Sequence, residues 1–143
     1  MLVYYNGRYL QKLEVAISPD DRGFLFADGV YDVIRAYRGK LFKCAEHLQR
    51  MAHGLRELKI TGCDPSTLES VANCVLKENS LEHSDAKVYI QITRGAAPRT
   101  HKFPTAGTPP TVTDIGLMIL ESGEAGVWLP AVMLGFTSPR PVQ

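Results

Sequence analysis

Residues 87–93 alternate without a break, Val88, Ile90 and Ile92 against Tyr89, Gln91 and Thr93. That period of two commits the segment to a half-buried strand, because successive side chains leave a strand on opposite faces. Other segments can pair with it. Val3-Tyr4-Tyr5 and Arg8-Tyr9-Leu10 flank Asn6-Gly7, a dipeptide suited to the positive φ angles of a tight hairpin turn. Residues 29–37 are rich in β-branched and aromatic side chains, and Arg38-Gly39 separates them from Lys40-Leu41-Phe42, which predicts a second hairpin. In its first strand Tyr31, Val33, Arg35 and Tyr37 share one face and Val30, Ile34 and Ala36 the other, and one of those faces can line a pocket.

Two helices are expected between these strands. Over residues 45–58 Leu48, Met51, Leu55 and Leu58 fall at helical spacing, with Glu46 and Arg50 four apart on another face. Asp64-Pro65 offers an N-cap followed by proline at the first helical position. Leu68, Val71 and Val75 continue an apolar stripe that should end near Asn79. Strands surrounding a helical pair predict an α+β domain, an antiparallel sheet with two helices packed on one face.

Composition narrows the class of function. A chain of 143 residues with 45% hydrophobic and 22% charged residues and a formal net charge of +1 reads as an ordinary globular domain with no broad basic field, so no nucleic-acid partner is expected. The first residues lack a basic segment followed by an apolar core, and the apolar stretch 125–136 is shorter than the roughly 20 residues of a membrane span. A cytoplasmic protein without membrane contact is therefore expected. Cys44, Cys63 and Cys74, an odd number without a Cys-x-x-Cys pair, suit buried, reduced thiols. Cys44 and His47 are three apart but have no second ligand pair, so no metal site is expected.

One loop carries recognisable chemistry. After the strand at 87–93, Arg94-Gly95 leads to Pro98-Arg99-Thr100-His101. The Arg99 guanidinium offers a planar fork matched to a carboxylate, and the His101 imidazole can add a donor from the same side. Taken alone, the two are equally solvated loop residues that happen to alternate. Upstream stand Asp21-Arg22-Gly23-Phe24-Leu25-Phe26-Ala27-Asp28-Gly29-Val30-Tyr31 and Glu46-His47-Leu48-Gln49-Arg50. With the Arg99 loop, these blocks resemble the N-terminal part of the fold-type IV pyridoxal-phosphate enzymes, over residues 3–110. Within that group the Arg-x-His loop is most similar to D-amino acid aminotransferase.

The resemblance implies roles that the residues alone leave open. Arg50 matches the family's phosphate-binding arginine, whereas by spacing it would be an ion pair with Glu46. Tyr31 matches a tyrosine that binds substrate carboxylate together with the Arg99 and His101 positions, whereas by pattern it would be a core aromatic. The implied cofactor is pyridoxal phosphate, and the implied activity is transamination of D-amino acids with a 2-oxo acid. The implied assembly is a homodimer in which the Arg-x-His loop serves the partner's site. A further strand over residues 112–120 would complete an N-terminal domain of residues 1–120, leaving residues 121–143 as an apolar, proline-containing tail without family resemblance.

None of Lys12, Lys40, Lys43, Lys59, Lys77, Lys87 and Lys102 occupies the place of the family's Schiff-base lysine. No catalytic residue is assigned, and a chain of this length is expected to be a truncated form inactive on its own. The alternatives are a non-catalytic dimerisation or ligand-binding module of the same fold, a branched-chain aminotransferase, and an aminodeoxychorismate lyase.

Overall fold

In the computed structural model, which describes residues 1–104 and 107–118, Asn6 and Gly7 take φ of 46° and 85°. These are the positive angles that close a two-residue hairpin. They join β1 (Leu2–Tyr5) to β2 (Arg8–Gln11) with Val3 opposite Leu10. The second hairpin forms in the same way, with Arg38 and Gly39 linking β3 (Gly29–Tyr37) to the two-residue β4 (Lys40–Leu41). β5 (Ala86–Thr93) pairs with β3 from Gly29↔Thr93 to Ala36↔Ala86. β6 (Thr111–Met118) lies along the other edge of β5 and joins it to β1. All these pairings are antiparallel, in the order β2-β1-β6-β5-β3-β4.

A five-residue helix, α1 (Arg22–Phe26), precedes β3. The two longer helices are α2 (Cys44–Glu57) and α3 (Leu68–Glu78). The expected proline-led start of the second is a 3-10 turn, Pro65–Thr67, capped when the Asp64 carboxylate accepts the Ser66 N–H at 2.9 Å. Asn79 ends α3 and ties it to the sheet, its side chain exchanging two 2.8 Å hydrogen bonds with the Leu2 backbone.

Both helices cover one face of the sheet. Leu48, Met51 and Leu55 of α2 and Leu68, Ala72 and Leu76 of α3 bury against Ile34, Val88, Ile90 and Ile92. Each large aliphatic side chain removed from water this way contributes about 1.5–3 kcal/mol. The α+β architecture is therefore the expected one. Of the cysteines only Cys44 is buried; Cys74 falls just off the apolar stripe of α3, and Cys63 lies in the turn before Asp64. Residues 119–120 of the expected last strand and the tail 121–143 lie outside the described residues.

Candidate functional site

The sheet face away from the helices is where an exposed aromatic row stands. Tyr31 is 48% exposed and stacks on Tyr89 with ring centroids 5.7 Å apart, so it is not a core aromatic. Tyr89 donates to Gln91 at 2.7 Å. Burial, and to a lesser degree the neighbouring Tyr31, hold the Tyr89 phenol above its usual pKa. Beyond Gln91 the same face opens into a cavity of about 450 Å³ lined by Asp21, Phe24, Thr93, Thr111 and Thr113 among others. Asp21 is buried and accepts from the Gly23 N–H and from the hydroxyls of Thr93 and Thr111, fastening the start of α1 to β5 and β6.

Asp32, next along β3, points the other way and is 1% exposed beneath α2. Arg50 donates to it from both Nε, at 3.0 Å, and Nη2, and His47 Nδ1 lies 2.9 Å from the same carboxylate. The pair with Glu46 that spacing alone would give is thus replaced by a longer-range one, because Arg50 leans from α2 onto Asp32 of β3 rather than along its own helix. The hydrogen bonds and charge of Asp32 hold Arg50 firmly protonated, with a further small contribution from the Tyr31 phenol. The Arg50 side chain nevertheless stays 69% exposed. Its fork is oriented on one edge by a buried carboxylate while the rest faces solvent, an arrangement that fits an anion such as a phosphate.

The Arg99 loop begins at Gly95, whose φ of 88° is in the left-handed region and whose Cβ, if present, would strike the carbonyl oxygen of Pro109. Arg99 and His101 are both exposed, and both approach the ring of Phe26 on α1. The Arg99 guanidinium lies 5.9 Å from its centroid, and the imidazole ring lies 5.4 Å away at 57°. The structure therefore brings Arg99 and His101 to one ring, that of Phe26, whereas Tyr31 and Arg50 are held elsewhere, Tyr31 against Tyr89 and Arg50 on Asp32. No described hydrogen bond or ring contact joins one pair to the other.

Behind the loop lies a buried cluster. Asp28 accepts from Arg22 Nε at 2.9 Å and from Arg94 Nε and Nη2 at 2.7 and 2.9 Å. Burial pushes the Asp28 carboxyl up, but the two guanidinium groups outweigh it and hold the pKa below the ordinary 3.8. Arg94 also donates to the carbonyls of Leu58 and Lys59 just past α2. Asp28, Arg22, Arg94 and Asp32 had no assigned role in the sequence reading. The available signal was a charged residue at an inward strand position, as with Asp32 between Val30 and Ile34. Among the described residues no group of three or more His, Cys, Asp or Glu side chains is placed to hold a metal ion, and no helix is long and apolar enough to cross a membrane.

These features are those of an aminotransferase-type N-terminal domain, and the chain belongs to the class IV amino-transferase family, whose model matches residues 29–116. Its similarity to the D-alanine aminotransferase of Staphylococcus haemolyticus is 40% identity over 111 residues, which cover 77% of this chain and 39% of that protein. Among solved structures, the branched-chain amino acid aminotransferase of Escherichia coli superposes with a TM-score of 0.75 at 18% identity, over 82% of this chain and 40% of that one. The 4-amino-4-deoxychorismate lyase of Pseudomonas aeruginosa does so at 0.62 and 25% identity, over 80% and 39%. The chain thus spans about two fifths of the length of these relatives.

Proposed function

We propose that this chain supplies the phosphate-binding and carboxylate-binding side groups of a pyridoxal-phosphate aminotransferase acting on D-amino acids and 2-oxo acids. The observation that carries the reading is the approach of both Arg99 and His101 to the Phe26 ring, which gives a carboxylate two donors from one loop. Arg50, braced by Asp32, would hold the cofactor phosphate, and Tyr31 would add a phenolic donor to the substrate carboxylate. When bound, pyridoxal phosphate supplies the electron sink for proton transfer at the substrate's α-carbon.

The separation of Tyr31 from Arg99 and His101 within one chain favours a homodimer in which the loop of one protomer serves the site of the other. Three cysteines, an odd number without a Cys-x-x-Cys pair, suit the cytosol. The amine that must join the cofactor has no counterpart among the seven lysines, so it would come from outside these 143 residues. That same absence favours the second reading, a non-catalytic module of this fold.

A chimera joining this chain to the remaining sequence of the Staphylococcus haemolyticus enzyme separates the readings. D-alanine turnover that falls about a hundredfold or more in Arg99→Ala supports the proposal. Turnover of L-leucine or of 4-amino-4-deoxychorismate instead would move the assignment to the branched-chain or lyase type. A folded chimera that turns over none of these favours the module.

A further inference from the structure

We propose that Arg22, seated on Asp28, is the positioning residue of the Arg99/His101 clamp, and that the Phe26 ring is the platform against which the clamp is set. The proposal rests on the reading of Arg99 and His101 as carboxylate donors and names what fixes them.

Arg22 is 3% exposed and divides its donors between two partners. Its Nε goes to Asp28, and its Nη1 donates to the carbonyl of Thr100 at 2.9 Å. Thr100 is the residue between the two clamp side chains, so this one bond sets the backbone from which both project. The same guanidinium lies 4.7 Å from the centroid of Phe26, the ring that Arg99 and His101 also approach. One side chain therefore holds the loop from behind while touching the platform in front.

Lysine could not do this, because the task needs two donors held at a fixed angle in one plane. Little else ties the loop down. Residues 98–102 are exposed, and their other described bonds are the Thr100 hydroxyl to the Lys102 carbonyl at 3.3 Å and, just before them, the Ala97 N–H to Asp20 at 3.2 Å.

Arg22 and Arg94 face Asp28, and the buried Asp21 stands one residue before Arg22, so the buried charges behind the clamp balance. Phe103 lies near both guanidinium groups, 5.9 and 4.7 Å from its centroid, shielding them from water on that side. Through Arg94, Asp28 also grips the chain just past α2, at the carbonyls of Leu58 and Lys59.

The test uses the 143-residue chain, observed by NMR, with Arg22→Gln, Arg22→Lys, Phe26→Leu and Phe26→Tyr, and pyruvate as the carboxylate probe. Arg22→Gln is expected to lower the backbone order parameters of Thr100, His101 and Lys102 toward the flexible range, below about 0.6, to move the His101 ring signals toward those of a free histidine, and to leave amide exchange in the core unchanged. Ile90 and Ile92 should stay protected. Arg22→Lys should not restore the loop. Phe26→Leu should remove the ring-current shift of His101, and Phe26→Tyr should restore it. Pyruvate affinity should fall about tenfold or more in Arg22→Gln and Phe26→Leu.

Unchanged loop order parameters and His101 signals in Arg22→Gln would overturn the proposal. If that variant fails to fold, the Phe26→Leu and Phe26→Tyr pair decides, an unmoved His101 signal in both overturning it. A wild-type chain that ignores pyruvate while its loop responds to Arg22→Gln would uphold the positioning and sink the carboxylate reading instead.

Discussion

Two aspartates four residues apart hold arginines in this domain, and they do so to different ends. Asp28 binds Arg22 and Arg94, whose side chains are 3% and 9% exposed. Asp32 binds Arg50, which is 69% exposed. Both carboxylates are themselves buried, so the difference lies in the partner. A guanidinium enclosed on all sides spends its donors on protein carbonyls and aromatic faces, and becomes a fastening. One held by a single edge keeps donors for a ligand. An ion pair thus reads as structural or as functional from the exposure of its arginine rather than from its distance.

Removing each carboxylate in turn should separate the two most sharply. Asp28→Ala leaves two guanidinium groups buried without a counter-charge and is expected to cost about 3–5 kcal/mol in urea unfolding. Because the folded pKa of Asp28 lies below its ordinary value, its contribution is fully present above pH 3.8 and is lost as pH falls through the lower folded value. Acid titration of stability should therefore show a component below pH 3.8 that Asp28→Asn lacks.

Gly95→Ala, which forces a side chain into the left-handed region and against Pro109, should cost about 1–3 kcal/mol and release the loop without touching either aspartate. Asp32→Asn should cost only about 1 kcal/mol, since solvent already screens Arg50, yet it should weaken the discrimination between phosphorylated and unphosphorylated pyridoxamine. Smallest of all is Arg99→Ala, expected to change stability by no more than about 0.5 kcal/mol while pyruvate affinity falls. A large stability loss there would place Arg99 among the fastenings and break the contrast.

The scaffold was legible in the sequence where local chemistry dictates it. Asn6-Gly7 and Arg38-Gly39 announce their turns, and the stripes Leu48-Met51-Leu55 and Leu68-Val71-Val75 announce helices that the structure contains. The site was legible as residues but not as contacts. Spacing alone would pair Arg50 with Glu46 along its own helix, whereas its guanidinium crosses to Asp32, 18 residues back. The pairing of Asp28 with Arg94 spans 66 residues, and nothing in a linear pattern joins them until β3 and β5 come into register. α1 escaped notice because five residues are too few to show a helical period.

The most direct measurement maps amide and side-chain NMR shifts of the 143-residue chain titrated with pyridoxamine 5'-phosphate, which has no aldehyde to react with surface lysines, and with pyridoxamine. The phosphorylated form alone is expected to perturb Arg50, His47 and the neighbourhood of Tyr31, and Arg50→Gln to abolish the response. Equal perturbation by both compounds, or shifts centred on other basic residues, would contradict the assignment of Arg50 as the phosphate anchor.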